Sequence, residues 1–227
     1  MQPHDVNERV RSSHKESSPF IHPKALVESD QIAPGTRIWA FAHVMKNAQI
    51  GAGCNICDHA FVESNAKLGN NVTVKNGVAI WDGVEIEDDV FLGPSAVFTN
   101  DPNPRAEIKK TRAHLVATLI RRGATIGANA TIVCGITIGR YAFVAAGATV
   151  AEDVPDHALV MGVPARQKGW MCFCASRLRP VDAKNCKCPS CGRMFRRQKS
   201  GLEEVLSHSK DGVSKSKTLR TQKKEQG

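Results

Sequence analysis

Aliphatic residues recur at every sixth position through most of this 227-residue chain. The register runs without a slip from Ile32 to Phe98 and resumes from Ile120 to Val150. Four residues after each of these positions stands a small or apolar residue, most often Ala or Val. A helix repeats its apolar positions every 3.6 residues and a half-buried strand every second residue, so neither element explains a period of six. The positions in register are Ile32, Ile38, Val44, Ile50, Ile56, Val62, Leu68, Val74, Ile80, Ile86, Leu92, Phe98, Ile120, Ile126, Ile132, Ile138, Val144 and Val150.

A period of six is typical of a parallel β-helix. Each hexad supplies one short strand and one corner, three hexads close a triangular coil, and one large aliphatic residue per hexad fills the narrow interior. Residues eighteen apart then stack on neighbouring coils, roughly 4.8 Å apart, and each coil pairs its backbone with the next. We therefore predict an all-β fold, a left-handed parallel β-helix of about seven coils. An ordinary β-sandwich with irregular strands is the alternative, which the length of the unbroken register disfavours.

The repeat also divides the chain into segments. We expect a flexible N-terminus at residues 1–19, the β-helix at 20–169 with a protruding loop at 99–119, a small zinc-ribbon-like module at 170–198 and a basic flexible tail at 199–227. Ile21 and Val27 should begin the β-helix, with one residue missing before Ile32.

No apolar run opens the chain and no stretch of eighteen apolar residues occurs in it, which predicts neither a signal peptide nor a membrane span. We expect a cytoplasmic protein whose eight cysteines stay reduced.

The net charge of +9 is concentrated near the C-terminus. Residues 1–165 carry a net −2, residues 166–198 carry +8, and residues 199–227 carry +3. Such basicity suits an anionic cofactor, a nucleic acid, or only solvent. Because the β-helix carries no basic stripe with interleaved aromatic residues, we do not expect a nucleic acid as the partner.

The interruption of the repeat is the first candidate for a binding surface. Insertions in a solenoid leave as loops on one side and often form the binding face. The loop opens with TNDPNPR, in which the prolines favour an extended exit and Arg105 follows them directly. A planar guanidinium suits a phosphate or a carboxylate. The alternative is that Arg105 only pins its own loop.

Polar residues on successive coils form a second candidate site. Stacking at eighteen residues places Asn76 over Asp58, with His59 beside Asp58 and Lys75 beside Asn76. Trp81 lies one strand further along the chain. We expect this patch to lie near the loop and to carry chemistry. The alternative is a ladder of polar corner residues that only caps turns.

Three segments in this order, VKNGVAIWDGV, GPSAVFTNDPNPR and GVPARQKGW, resemble those of the hexapeptide-repeat acyltransferases. The resemblance covers about residues 20–171. It is closest to the N-acetyltransferases of nucleotide-linked 3-amino sugars, of the UDP-2-acetamido-3-amino-2,3-dideoxyglucuronate type in surface-polysaccharide (O-antigen) synthesis. It implies a homotrimer that transfers an acetyl group from acetyl-CoA to the amine of a nucleotide sugar, in clefts between neighbouring β-helices.

The same resemblance implies roles for individual residues. Asn76 matches an asparagine near the sugar amine, and Arg105 matches a contact to the anion of the substrate. The expected acetyl-CoA site comprises Ala146 and Gly147 beside the pantetheine and thioester, the terminal segment Val163, Pro164 and Ala165, and Arg166 and Lys168 at the phosphates.

The reaction mainly requires that the thioester and the amine are held close together, because a thioester is already activated and a neutral amine is a good nucleophile. Holding the two in near-attack geometry lowers the barrier by up to about 7–11 kcal/mol. Asn76 would orient the amine, a backbone N–H would hold the developing oxyanion, and Asp58 or His59 would take the ammonium proton, a contribution of roughly 10²–10⁴-fold. The catalytic candidates are thus Asn76, His59 and Asp58, and the substrate-binding candidates are Lys75, Trp81 and Arg105.

Three other functions stay open on the sequence alone. An O-acetyltransferase of the same fold would need a strong base for a hydroxyl, and His59 supplies a candidate. A γ-class carbonic anhydrase would need three zinc-binding histidines, which the spacing of the histidines in the β-helix does not suggest. A non-catalytic β-helix scaffold is the third. The histidines are His22, His43, His59, His114 and His157.

Cysteines near the C-terminus predict a metal site. CFC at Cys172 and Cys174 precedes CKCPSCG by eleven residues, and the Gly after CPSC permits the tight turn that aims backbone N–H groups at sulfur. Four thiolates suit a tetrahedral structural Zn²⁺. We predict Cys172, Cys174, Cys188 and Cys191 as ligands, with Cys186 as the alternative to Cys188. The other reading is free thiols in a disordered tail. Cysteines in the hexads should only pack: Cys54, Cys57 and Cys134.

Overall fold

A computed structural model describes residues 18–198 and 201–205. Its regular structure consists of short strands and a single 3₁₀ turn. In chain order these are β1 (Phe20–Ile21), β2 (Leu26–Val27), β3 (Arg37–Ile38), β4 (His43–Val44), β5 (Gln49–Ile50), β6 (Asn55–Ile56), β7 (Phe61–Val62), β8 (Lys67–Leu68), β9 (Thr73–Val74), β10 (Ala79–Ile80), β11 (Val84–Ile86), β12 (Phe91–Leu92), β13 (Val97–Phe98), the 3₁₀ turn Arg112–His114, β14 (Thr118–Ile120), β15 (Thr125–Ile126), β16 (Thr131–Ile132), β17 (Thr137–Ile138), β18 (Phe143–Val144), β19 (Thr149–Val150), β20 (Ala158–Met161), β21 (Arg166–Trp170), β22 (Arg179–Pro180), β23 (Asn185–Lys187), β24 (Met194–Gln198) and β25 (Gly201–Val205).

Three parallel sheets form the walls of a left-handed β-helix, which confirms the predicted fold class. Sheet 1 has the order β1-β3-β6-β9-β12-β15-β18-β20-β21, sheet 2 the order β19-β16-β13-β10-β7-β4-β2, and sheet 3 the order β17-β14-β11-β8-β5. Sheet 1 stacks eight parallel strands before the antiparallel β21, and sheet 2 stacks seven. The β-helix therefore has between seven and eight coils.

Pairing between coils follows the predicted register. Ile38 pairs with Ile56 and Ile56 with Val74, each eighteen residues on. The first coil is shorter, because Ile21 pairs with Ile38, and this confirms the missing residue before Ile32. Stacking resumes across the loop, where Leu92 pairs with Ile126.

The interior holds one aliphatic side chain per hexad and one small residue between. Ile50 is 3 % exposed and Leu68 5 %, and Ala48 and Cys54 are fully buried. Burial of one large apolar side chain stabilises the fold by roughly 1.5–3 kcal/mol, and the pattern repeats through the whole length of the core. The remaining hexad cysteines are also buried, as expected: Cys57 and Cys134.

The second residue of most corners lies in the left-handed backbone region. Asn65 at φ +64° and Asn71 at φ +56° suit that conformation. His59 at φ +59° is also a residue type enriched there, but Phe41 at φ +60° is not, yet it occupies the same corner position. Local preference alone would therefore not place an aromatic residue there.

Three corners per coil form three continuous edges along the β-helix. The 1–2 edge, between sheets 1 and 2, comprises corners 40–41, 58–59, 76–77, 94–95, 128–129 and 146–147. The 2–3 edge comprises corners 46–47, 64–65, 82–83 and 134–135, and the 3–1 edge comprises 52–53, 70–71, 88–89, 122–123, 140–141 and 156–157.

The loop leaves the β-helix at the 2–3 edge, between β13 and β14. Arg112 holds it by a bidentate contact to Asp82, with Nε–Oδ2 2.7 Å and Nη2–Oδ1 3.0 Å. The side-chain amide of Asn100 also donates to the Asp82 carbonyl at 3.3 Å. Because β14 begins at Thr118, the loop ends two residues earlier than the predicted 99–119.

The C-terminal module is a four-stranded antiparallel sheet, β22-β23-β24-β25. Phe195 is its fully buried centre. It packs on the β-helix through His157, whose ring stacks on Tyr141 at 5.4 Å and contacts Phe173 at 4.7 Å. The strand Gly201–Val205 pairs with β24, so this part of the predicted tail belongs to the module. Residues 1–17, 199–200 and 206–227 lie outside the described residues, and with them most of the expected flexible N-terminus and basic tail.

In the described ranges we find no helix whose length and apolar character would allow a bilayer crossing.

Candidate functional site

Backbone hydrogen bonds align the predicted catalytic and cofactor residues along the 1–2 edge. The N–H of Gly77 donates to the Asp58 carbonyl at 3.3 Å, and the N–H of Gly147 donates to the Ala128 carbonyl at 2.8 Å. Equivalent bonds link the corners between them, so Asp58, Asn76 and Ala146 lie in one column. Three coil spacings separate Asn76 from Ala146, which is about 14 Å.

A cavity of about 350 Å³ opens beside this column on the outer face of sheet 1. Asp58 and Asn76 both line it, as the stacking argument predicts. The Trp39 indole N–H donates to the side-chain oxygen of Asn55 at 2.8 Å, which fixes the indole over the cavity wall. The lining residues are Arg37, Trp39, Asn55, Cys57, Asp58 and Asn76.

Four of these lining residues are absent from the sequence-based site. The stacking rule would have found them, because Asn55 lies eighteen residues after Arg37 and Cys57 eighteen after Trp39. Arg37 is exposed and forms no salt bridge with any described residue. Burial raises the pKa of the Cys57 thiol, and the nearby Lys75 ammonium opposes that shift. The cavity thus combines an indole, an unpaired guanidinium and a nearby lysine.

His59 lies at the same corner as Asp58 but not in the cavity. Its imidazole stacks almost parallel on Phe41, with ring centroids 5.1 Å apart and 11° between the planes. On the other side, a Cβ built on Gly77 would meet nothing closer than 3.6 Å. The ring is exposed and open on the Gly77 side, yet it does not share the cavity of Asn76.

Trp81 and Arg105 do not join this cavity within one chain. Trp81 is half-buried at the far side of sheet 2, where its indole N–H donates to the Phe98 carbonyl at 2.8 Å. Arg105 is exposed in the loop at the 2–3 edge. Within one chain, sheet 2 therefore separates Asp58 and Asn76 from the edge where the loop leaves, whereas Trp81 lies beside the strand that precedes the loop.

The expected pantetheine site lies at the upper end of the 1–2 edge. Gly147 has φ +69°, and a Cβ built on it would meet nothing within 4 Å, so this corner is open. Ala146 is exposed beside it. Thr149 exchanges two backbone hydrogen bonds with the segment 162–165, at 2.8 and 3.1 Å. That segment therefore continues the edge beyond its last corner.

Most residues of the terminal segment face outward, whereas Ala165 is half-buried and packs against the core. Val163 is 74 % exposed, and the Arg166 guanidinium donates to the Ala165 carbonyl at 2.9 Å. Pro164 and Lys168 are also exposed. The structure thus brings Ala146, Gly147 and the segment 163–166 to one end of the edge that also carries Asn76, whereas Lys168 lies further along β21.

Four cysteine sulfurs of the module lie within 4.8 Å of one another. The Sγ–Sγ distances are 3.5 Å for Cys172–Cys191, 3.5 Å for Cys174–Cys188 and 3.7 Å for Cys174–Cys191. A tetrahedral Zn²⁺ with Zn–S bonds of about 2.3 Å requires sulfurs about 3.8 Å apart, so the donor set fits. Cys186 is 1 % exposed, pairs with Phe195 across the sheet and lies outside the cluster.

The thiols of this cluster differ in acidity. Burial raises the pKa of Cys172 to about 12. Burial also acts on Cys174, but hydrogen bonds from Ser176 and from neighbouring thiols outweigh it and lower the pKa to about 6. The Cys191 N–H points at the Cys188 sulfur at 3.4 Å, as in the tight turn that the CPSCG spacing predicts. The cluster therefore holds one thiolate readily and would hold four beside a divalent cation.

Comparison with known proteins gives both a family and a relative. A family model described as bacterial transferase hexapeptide (six repeats) matches residues 117–152. The dTDP-3-amino-3,6-dideoxy-alpha-D-galactopyranose 3-N-acetyltransferase of Aneurinibacillus thermoaerophilus is 50 % identical over 177 residues, which cover 78 % of this chain and 90 % of that protein.

Two further similarities are partial. The bifunctional protein GlmU of Brevibacillus brevis is 36 % identical over 136 residues, which cover 60 % of this chain and only 26 % of GlmU. The crystal structure of PerB from Caulobacter crescentus, in complex with CoA and GDP-perosamine, is 21 % identical with a TM-score of 0.50. It covers 68 % of this chain and 58 % of PerB, a likeness of fold. From the hexad register, the three-sheet β-helix and the relative of equal span, this chain belongs to the hexapeptide-repeat acyltransferases.

Proposed function

We propose that this protein is an acetyl-CoA-dependent N-acetyltransferase that acts on the amino group of a nucleotide-linked amino sugar in surface-polysaccharide synthesis. The observation that carries the proposal is the 1–2 edge. One open column joins Asn76, beside a 350 Å³ cavity, to the exposed corner at Gly147. An acetyl-CoA whose pantetheine arm lies along that column, from Gly147 to Asn76, would present its thioester to an amine held at Asn76. Ala146 and Gly147 would then contact the pantetheine and not the thioester, because about 14 Å separates them from Asn76. The 50 % identical relative, which bears the name of such an enzyme, supports the same assignment.

In this mechanism the chain supplies placement and charge. Asn76 accepts a hydrogen bond from the amine and orients its lone pair, and an N–H of the edge stabilises the oxyanion that forms on the thioester carbonyl. The attacking amine becomes an ammonium and must lose a proton, and collapse of the tetrahedral intermediate then breaks the C–S bond and releases CoA as the free thiol. Asp58 is the better-placed acceptor, because it shares the cavity with Asn76 while His59 does not. This geometry favours an amine over a hydroxyl, which would need a stronger base.

The cavity also suggests how the nucleotide part is held. Arg37 and Lys75 supply positive charge for phosphates, and the partly exposed Trp39 offers an apolar face for a base or sugar. The relative takes a dTDP-linked sugar by its name, whereas the sequence motifs resemble enzymes of UDP-linked sugars. A dTDP-linked 3-amino sugar is therefore the first substrate to test.

We further propose a homotrimer assembled through sheet 2. Its outward face carries an apolar cluster, in which Leu26 is 56 % and Val97 49 % exposed and Phe61 and Ala79 lie between them, although His43 interrupts the cluster and threonines follow it. A second copy packed on this face would bring a neighbouring 2–3 edge, with Trp81 and Arg105, towards the 1–2 edge that carries Asn76. The sequence-predicted substrate residues would then meet across the subunit interface.

The cysteine cluster completes the proposal. The Sγ geometry supports a structural Zn²⁺ held by Cys172, Cys174, Cys188 and Cys191, with all four ligand positions filled by protein. Such a metal stabilises the module and takes no part in acetyl transfer. Reduced thiols and acetyl-CoA both indicate the cytoplasm as the place of action.

The deciding experiment incubates the purified protein with acetyl-CoA and a panel of nucleotide-linked sugars and follows release of free CoA thiol. The panel pairs each 3-amino sugar, dTDP- or UDP-linked, with the same sugar bearing a 3-hydroxyl. We expect thiol release only with the amino sugars. Equal rates with the hydroxyl sugars would favour the O-acetyltransferase, and no release with any sugar would favour a scaffold.

A further inference from the structure

A second cavity, larger than the one beside Asn76, lies between β21 and the C-terminal module. It encloses about 990 Å³. One wall is β21, which contributes Lys168 and Trp170, and the opposite wall is the module. The Arg177 guanidinium donates to the Lys168 carbonyl at 2.6 Å and so holds the two walls together.

Positive charge dominates this cavity. Four of its lining residues are basic and none is acidic: Lys168, Arg177, Arg179 and Arg197. Within residues 18–198 and 201–205 no carboxylate lies within salt-bridge distance of any of them, whereas Arg193 of the same module pairs with Glu204. Unneutralised guanidinium groups that converge on one cavity favour a multiply charged anion such as a phosphate.

Apolar surfaces complement the charge. Trp170, Pro180 and Pro189 also line the cavity, and the buried Leu178 forms part of its floor. A planar heterocycle packs well against indole and proline rings. A cavity with both features suits a nucleotide better than it suits inorganic phosphate or a simple carboxylate.

Position connects the cavity to the proposed acetyl-CoA path. Ala165 ends the segment that continues the 1–2 edge, and Gln167 and Lys168, two and three residues later, already line the cavity. A ligand that runs up the edge to Ala165 therefore ends within two to three residues of the cavity, which continues along β21 towards the 3–1 edge.

We propose that the module forms the subsite for the 3′-phosphorylated ADP part of CoA, with Arg179 and Arg197 as the main contacts to its 3′-phosphate. This inference rests on the proposed use of acetyl-CoA. The cysteine module then has a second role besides its own fold, because it holds these two arginines over β21. The expected weakening of CoA binding on loss of both side chains is about tenfold, the value of one charge-assisted hydrogen bond between exposed groups.

The test measures binding of CoA and of 3′-dephospho-CoA by titration calorimetry to the full chain. The variant is Arg179→Gln/Arg197→Gln. The matched control is Lys187→Gln/Arg196→Gln, which removes the same charge from exposed residues of β23 and β24 that do not line the cavity. We expect the first pair to weaken CoA about tenfold and dephospho-CoA less than twofold, and the control pair to change neither more than twofold.

Three results would overturn the inference: equal weakening by both pairs of substitutions, equal weakening of both ligands, or displacement of CoA by a short oligonucleotide that binds more tightly. Each is separable from the proposed function. If the wild-type protein binds CoA more tightly than 3′-dephospho-CoA but acetylates no amino sugar, the N-acetyltransferase is refuted and the CoA subsite is not. If the protein acetylates an amino sugar but Arg179→Gln/Arg197→Gln binds CoA as the wild type does, the subsite is refuted and the N-acetyltransferase is not.

Discussion

Replacing Asn76 with alanine should abolish most of the activity and leave the fold unchanged. In the described part of the chain the Asn76 side chain makes no hydrogen bond, and it is exposed at its corner. Its removal therefore takes nothing from the packing of the β-helix. If its only partner is the substrate amine, the loss will appear in catalysis alone.

The size of the loss follows from that role. A side chain that positions a reacting group, or stabilises the charge that develops on it, contributes about 10²–10³-fold to kcat, as the removal of one oxyanion-hole donor does. We therefore expect kcat/KM for the amino sugar to fall by about 10²–10³. The KM for acetyl-CoA should stay within twofold, because the proposed CoA residues lie about three coils away, roughly 14 Å.

A corner asparagine on another edge supplies the control. Asn70 accepts a hydrogen bond from the Ala52 N–H at 2.8 Å, so its truncation leaves a backbone donor without that partner. Asn70→Ala should cost about 1 kcal/mol of unfolding free energy, near the net value of one hydrogen bond, and keep full activity. Thiol release measures the activity of both variants, and urea denaturation measures their stability.

Two outcomes would refute the reasoning. Comparable loss of stability in both variants would make Asn76 a turn-capping residue, as the competing interpretation of the corner ladder holds. Wild-type kcat/KM in Asn76→Ala would remove Asn76 from the site, whatever its neighbours do.

Three further predictions concern stability and assembly. The backbone N–H of Asn70 holds the pKa of Asp88 in the folded protein below its ordinary value of 3.8. The ionised Asp88 therefore stabilises the fold fully above pH 3.8, and this stabilisation is lost as the pH falls through the lowered pKa of the folded protein. Acid titration of unfolding should therefore be shallower in Asp88→Asn, and an unchanged slope would contradict this. Cys188→Ser should reduce bound zinc from about one per chain to none and should lower Tm, by roughly 2–4 °C for each kcal/mol of stability lost. The control Cys186→Ala should keep the metal. Loss of zinc in Cys186→Ala but not in Cys188→Ser would make Cys186 the ligand. Val97→Arg puts a charge into the proposed subunit face and should convert a trimer to monomers in light scattering, and a persistent trimer would place the interface elsewhere.

The interior of the fold could be predicted almost residue by residue, and the exterior could not. A narrow three-sided core accepts one large side chain per strand, so a large aliphatic residue must recur at every sixth position of the sequence. Ile50 and Leu68 are buried as this register requires. Outward positions face solvent or a partner and carry no such constraint. Arg37 and Trp39 therefore looked like ordinary surface residues, although the eighteen-residue spacing to Asn55 and Cys57 was present in the sequence.

The stacking rule also says which residues share an edge but not which edge meets a neighbour. It placed Asp58 under Asn76 correctly, and it did not separate these from Trp81, which lies across sheet 2. In the module, cysteine spacing identified the cluster, because residues that could share one metal ion stand at restricted spacings. The strand Gly201–Val205 escaped notice because its charged residues give no apolar alternation, and only Gly201 and Leu202 are buried.

Aromatic residues at corners show how tertiary packing overrides local preference. Phe41 and His59 both adopt the left-handed backbone, at a cost of order 1–3 kcal/mol each, and their rings stack at 5.1 Å on the 1–2 edge. Tyr141 and His157 repeat the arrangement at 5.4 Å on the 3–1 edge, where the module covers them. In each pair one ring supports the other across coils. The exposed pair beside Asp58 has no module over it, which is consistent with a surface kept free for a ligand.

The contrast between two edges distinguishes a binding edge from a structural one. On the 3–1 edge, side chains bond from coil to coil: Asn71 donates to Asp89 at 2.9 Å, and Arg122 pairs with Asp88. On the 1–2 edge, no side-chain hydrogen bond joins successive corners among the described residues, and between Asn76 and Ala146 the corners carry only Pro94, Ser95, Ala128 and Asn129. If polar corner residues served only to cap turns, both edges should be bonded alike. The 1–2 edge has the unpaired amide of Asn76 at one end and the open Gly147 at the other, with few bulky side chains between them. This leaves room for an extended ligand, which would supply the hydrogen-bond partners that the polar groups of the edge lack.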